Sequence, residues 1–288
     1  MDNLIYNKDI KEIIKKEGLS MELLSPKMDF IFKQIFGSEE NKEVLVSFLN
    51  AVLKPTNDNI ITEVSIKNTD VEKEYITDKF SRLDVLATTN RKETINIEIQ
   101  LKNEQNMIKR SLYYWSKLYT KPLSKGEDYD LLNRTVCINI LDFNYLKKTS
   151  NFHSVFRLKE IFTNMELTDV EEIHFIELPK LSNNKEKDLL TSWCEFLNNP
   201  ESEEVRNSEN NIIEIKTAKN KLIKISSNDE QRRLYELRKK RLLDERSALN
   251  RAKKQEAIKI AKNLLDVLDD EIISLKTGLT IEEVKKLR

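Results

Sequence analysis

The sequence predicts an α/β (α+β) fold in which a mixed central sheet is flanked by helices and followed by a helical C-terminal extension. Three observations carry this reading. Residues 82–88 and 94–101 are two short runs rich in β-branched and aliphatic residues, the second alternating strictly as Thr-Ile-Asn-Ile-Glu-Ile-Gln-Leu. Residues 89–93 between them contain no apolar side chain, which marks a hairpin turn. Residues 134–143, RTVCINILDF, form a nearly continuous apolar run of the kind a doubly covered strand needs. Segments of helical period stand before and after these strands, which suits a sheet with helical layers.

Composition bounds the answer. At 288 residues the chain has room for one sizeable domain and an appendage. Only 4 Gly and 5 Pro argue against a loop-rich or low-complexity protein. No apolar run approaches a membrane span, and the first residues lack a signal-peptide pattern. Cys137 sits in an apolar run and Cys194 beside Trp193, as reduced core thiols of a cytoplasmic protein do. Lys and Arg number 49 and Asp and Glu 49. Any contact with a polyanion must therefore come from a local basic patch.

Residues 1–24 form a short charged leader, expected to be partly helical. Ser25-Pro26 reads as a helix start, with Ser as N-cap and Pro in the first turn. The helix then runs to Phe36, ahead of Gly37. Ser38 is expected to cap a second helix over 39–53, stopped by Pro55, with Val44, Leu45, Phe48, Leu49 and Val52 on its buried stripe. Residues 60–67 alternate as a strand, and the charged stretch 70–78 leads into the hairpin.

After the hairpin, 103–120 reads as a helix burying Ile108, Leu112, Trp115 and Leu118 or Tyr119. Its aromatic residues read as core and flank rather than as a base-stacking platform. Residues 154–161 and 172–178 are two further strands, and 189–197 a short helix around Trp193. Residues 212–225 fit either period. Residues 229–268 are a long charged helix or helix pair, a solvent-facing pattern rather than an ordered heptad seam. The end reads as two short helices about a turn at Thr277-Gly278, with Thr280 as N-cap. That hairpin either reads DNA or packs and assembles the chain. The expected division is 1–24 leader, 25–200 main domain, 201–228 connecting segment and 229–288 charged helical region.

The hairpin carries the chemistry. A turn centred on Arg91 pairs residues whose numbers sum to 182, which sets Asp84 opposite Glu98. Gln100 shares their face, and Ile97, Ile99 and Leu101 take the other. Two facing acids repel unless a cation lies between them, and a hard divalent ion with oxygen ligands suits them. The plainer alternative is a solvated polar face with Asp84 paired to Arg82 or Lys79.

Asp84, followed on the next strand by Glu98-Ile99-Gln100, resembles the D…(D/E)-x-K signature of the PD-(D/E)XK nuclease superfamily. More narrowly, the chain is similar to its recombination-promoting nuclease / putative transposase family, where Gln commonly replaces the lysine. Met28-Asp29-Phe30-Ile31-Phe32-Lys33, Ser81-Arg82-Leu83-Asp84-Val85-Leu86-Ala87, Asn96-Ile97-Glu98-Ile99-Gln100, and Arg110 with Tyr114 carry the likeness, over about residues 24–181. Leu83 stands where the motif has Pro.

The resemblance implies a restriction-endonuclease-like core, DNA as partner and Mg²⁺ as cofactor, with Mn²⁺ able to substitute. It implies Asp84, Glu98 and Gln100 as catalytic residues, and Asp84, Glu98 and the Ile99 carbonyl as metal ligands. Asp29 is either an acid beside the site or a charge favouring the helix N-terminus. Lys33 either meets a phosphate or pairs with Asp29 one turn earlier. Arg110 either reaches the patch as a phosphate-binding guanidinium or lies on the surface.

The implied function is a metal-dependent DNA endonuclease of recombination or transposition, with self-association into a homo-oligomer left open. The rival is a catalytically degenerate nuclease-fold module for nucleic-acid binding or assembly, kept alive by Gln100 and the neutral net charge. His153 and His174 are the only histidines, and no Cys or His partner stands at zinc spacing. Nothing points to a Ser-His-Asp or Cys-His arrangement, and no phosphate-binding Gly loop is present. A DDE-type transposase would spread its acids over separate elements, unlike this hairpin.

Overall fold

The computed structural model describes residues 22–67, 84–184 and 186–288. Residues 1–21 of the leader, the charged stretch 70–78 and the residues just before Asp84 lie outside them. Helices α1 (Asp29–Phe36) and α2 (Lys42–Leu53) come first. Strands β1 (Val64–Lys67), β2 (Val85–Thr89) and β3 (Thr94–Gln100) follow, then α3 (Met107–Thr120). Next come β4 (Thr135–Leu141), β5 (His153–Phe156) and β6 (Glu171–Glu177). Helices α4 (Leu189–Asn198), α5 (Glu203–Asn211) and α6 (Ile213–Ser226) complete one compact unit. A second unit, Asp229–Arg288, contains α7 (Asp229–Leu264), α8 (Asp270–Thr277) and α9 (Ile281–Lys285).

The sheet order is β1-β2-β3-β4-β6-β5. The first three strands are an antiparallel meander, β3-β4-β6 are parallel, and β5 returns antiparallel at the edge. Every residue of β4 and β6 is buried, as the apolar run 134–143 led one to expect of β4. This mixed sheet with flanking helices is an α/β fold of the restriction-endonuclease-like kind, with a helical C-terminal region.

One face presents Val85, Ala87, Ile95, Ile97, Ile99, Val136, Ile138 and Ile140, all at most 4% exposed. Contacts of α1 with β3 and of α2 with β1 form the first helical layer. Behind it Phe32, Phe36, Phe48, Trp193 and Phe196 form an aromatic cluster with ring centroids 4.6–6.2 Å apart. Gly37 is needed at the end of α1, since a Cβ there would stand 2.7 Å from the Lys33 carbonyl oxygen. The segment 201–228 joins this unit as α5 and α6, and α6 buries Ile215, Ala218, Leu222 and Ile225.

Several boundaries and one stripe depart from the sequence reading. Ser25 and Pro26 make a turn, and α1 begins at Asp29 with no side-chain cap. A 3-10 turn over Glu39–Asn41 precedes α2, so Ser38 does not cap it. Residues 157–161 leave β5, and Ile161 is 86% exposed. On α3 the buried residues are Met107, Ser111, Tyr114 and Leu118, while Ile108 and Leu112 are 49% and 45% exposed. The helix is turned by one residue from the most apolar stripe. A buried polar partner explains this: the Ser111 hydroxyl donates to the Met107 carbonyl, or to Asn139 Oδ1 2.9 Å away on β4.

Candidate active site

The β2–β3 ladder pairs Val85 with Ile97, Leu86 with Asn96 and Ala87 with Ile95. These numbers sum to 182, the register read from the turn. Continued one residue beyond the end of β2, that register sets Asp84 opposite Glu98. The turn itself closes with Thr89 N–H donating to the Glu93 carbonyl at 3.0 Å and Lys92 in the left-handed region at φ 63°. Asp84 Oδ2 accepts the Ile99 backbone N–H at 2.7 Å, which ties the aspartate to the strand that carries the glutamate.

Glu98 is 1% exposed. Neither of its oxygens accepts a well-aligned hydrogen bond among the described residues. Its charge contact is Arg110 Nε, 3.1 Å from Oε2. Arg110 comes from α3, the helix on this face of the sheet, and its guanidinium lies 5.4 Å from the Tyr114 ring centroid. It therefore reaches the acidic patch and is not a surface charge. Beside Glu98 on β4 stands Asn139, whose Nδ2 donates to the His174 carbonyl at 3.0 Å. Gln100 closes β3, half-buried, and its carbonyl accepts the Asp142 N–H.

Burial pushes both acids up. Asp84 rises to about 7, with the Glu98 and Asp29 charges adding to desolvation and the Ile99 N–H and Arg110 opposing it. Glu98 also rises to about 7, desolvation outweighing Arg110 and the Asn96 amide. Asp29, at the start of α1, thus lies close enough for its charge to act on Asp84, and its own Oδ1 accepts the Phe30 N–H. Lys33 follows one turn later.

Two features escaped the sequence reading. Lys27 Nζ sits 2.7 Å from Asp142 Oδ1, a cation at the end of β4 next to Gln100. A second buried network lies farther along the sheet. His153 Nε2 meets His174 Nδ1 at 2.8 Å, and His174 Nε2 meets Glu172 Oε1 at 2.7 Å. Arg157 also pairs with Glu172, and Arg134 bridges Glu172 and Glu93 at 2.9 and 2.8 Å. The signal for the first polar shell was present: Asn96, Glu98 and Asn139 are the polar residues inside otherwise apolar strands. The relay had no local signal, because its members meet only through the β4-β6-β5 order.

Among the described residues no three His, Cys, Asp or Glu side chains cluster closely enough to hold a metal by themselves. The pair of facing carboxylates nevertheless suits a hard cation, because the Glu98 oxygens accept no well-aligned hydrogen bond among the described residues and both acids pay for burial as anions. A backbone carbonyl or an amide would have to complete the donor set.

A family model described as PD-(D/E)XK nuclease family transposase matches residues 26–252. No curated protein and no solved structure matches the chain.

Proposed function

The chain belongs to the PD-(D/E)XK nuclease family of transposases, and on that premise we propose that it is a Mg²⁺-dependent DNA endonuclease acting in recombination or transposition. The observation that supports this most directly is the register that sets Asp84 against a Glu98 whose oxygens accept no well-aligned hydrogen bond among the described residues. Asp84 and Glu98 would hold the ion, with the Ile99 carbonyl as a third donor; Mn²⁺ has the same oxygen preference. The bound ion supplies Lewis acidity to the scissile phosphate and to a water.

The chain's own residues do the rest. The Ile99 N–H holds the Asp84 carboxylate in position from the neighbouring strand. Arg110 offsets the charge of Glu98 from the α3 side. Gln100 orients the attacking water through its amide, but unlike lysine it carries no charge for the developing oxyanion. Asp29 adds negative charge beside Asp84 and strengthens the cation site.

A second reading has one observation in its favour. Arg110 already places a cation on Glu98, which suits a degenerate module that binds nucleic acid without cutting it. Plasmid cleavage with and without Mg²⁺, wild type beside Asp84→Ala, separates the two. Metal-dependent cleavage lost in the variant supports the enzyme. No cleavage by wild type, together with no metal-induced rise in melting temperature, favours the module.

A further inference from the structure

Helix α7 breaks the charge balance of the chain. Between Asp229 and Leu264 it holds twelve Lys and Arg against six Asp and Glu, within a protein of zero formal charge. Its only buried residue is Ala261. Arg232, Lys239, Arg246 and Lys253 recur every seventh residue, and Arg233, Lys240 and Lys254 form a parallel row one residue on. A seven-residue step advances about 10.5 Å and drifts only about 20° around an α-helix, so each set is a lengthwise row. From Arg232 to Lys253 the first row covers about 32 Å. That is close to the roughly 34 Å turn of a DNA duplex. The ion pair Arg241–Glu245, 3.0 Å, lies off both rows, whereas Lys254 in the second row pairs with Glu283 at 2.5 Å.

From this charge pattern we propose that α7 is a docking surface for the phosphate backbone of duplex DNA. The proposal rests on the reading of DNA as substrate. It assigns sequence-independent affinity to a helix of the second unit rather than to the hairpin acids. Lys and Arg at this spacing neutralise phosphates and release counter-ions without reading bases. The rows contain no Asn or Gln to contact base edges, so α7 holds DNA without selecting its sequence.

The test is binding of the full-length chain to a fluorescent duplex of arbitrary sequence in EDTA, across about 50–200 mM salt. Arg232→Gln, Lys239→Gln, Arg246→Gln and Lys253→Gln together keep good helix formers in place, and circular dichroism checks the helix. The slope of log K against log salt should fall in magnitude by about 3 to 4, and affinity at 0.1 M salt by on the order of 10²–10³-fold. A control removes equal charge at Lys117, Lys125, Lys147 and Lys148 and should change the slope far less. An unchanged slope in the α7 variant, or an equal fall in both variants, overturns the proposal. Because no metal is present, wild type that binds through α7 yet never cuts leaves this inference standing and removes only the nuclease reading.

Discussion

Asp84 Oδ2 accepts the backbone N–H of Ile99 at 2.7 Å, so the aspartate ahead of β2 is bonded to the residue between Glu98 and Gln100. This bond crosses the hairpin and holds Asp84 near Glu98, whose charge raises the cost of ionising it. Replacing Asp84 with Asn keeps an acceptor for Ile99 and removes one of the two buried like charges. In EDTA at pH 8, Asp84→Asn should therefore stabilise the protein by about 1–3 kcal/mol while abolishing metal-dependent cleavage. Chemical denaturation measures the first effect and plasmid nicking the second. Destabilisation with cleavage intact would show that the pair is not a metal site.

Metal binding should strengthen with pH. An acid whose pKa rises on folding binds more protons when folded, so its favourable contribution is complete below its unfolded value near 4. That contribution is lost as pH climbs through about 7, the value both Asp84 and Glu98 reach. A divalent ion competes with those protons. The melting-temperature rise caused by Mn²⁺ should be small at pH 5.5 and large at pH 8. A rise of equal size at both would place the ion elsewhere.

The histidine relay predicts an opposite sensitivity. Burial, His174 and Lys54 lower His153 to about 4, against the opposing charges of Asp188 and Glu172, and burial also lowers His174. For a depressed histidine, stability is full above about 6.5 and is lost as pH falls toward about 4. His153→Gln should reduce that acid-side loss by up to about 3 kcal/mol. Urea titrations from pH 7 to 4 read this directly, and an unchanged pH slope would mean the relay does not titrate on unfolding.

The orientation of α3 gives a packing test. Ser111→Ala removes the hydroxyl within hydrogen-bond distance of Asn139 Oδ1 and should cost about 1–3 kcal/mol. Leu112→Gln, at a position 45% exposed, should change stability by less than about 0.5 kcal/mol. The reverse ranking in denaturant melts would restore the stripe expected from hydrophobicity alone.

Gln100→Lys separates charge from geometry at the end of β3. Metal-induced stabilisation should persist, and cleavage should persist or increase, because an ammonium stabilises charge growing on the phosphate. Loss of cleavage with metal binding retained would mean the amide itself is required.

Much of the hairpin was legible in the sequence because its determinants are local. Alternation in 94–101 and the polar turn at 89–93 set the register, since a slip by one residue would send every isoleucine of β3 to the wrong face. That same periodicity determined that Asp84, Glu98 and Gln100 share a side. The uninterrupted apolar run of β4 determined its burial. Tertiary structure decided the rest. Which stripe of α3 faces the sheet depended on Asn139 offering a partner to Ser111, and helical period alone does not weigh a buried hydrogen bond against an exposed leucine. Whether Arg110 met Glu98 followed from that rotation. The His153–His174–Glu172 chain exists only because β5 returns beside β6 at the sheet edge, a pairing between residues about twenty apart that no local pattern encodes.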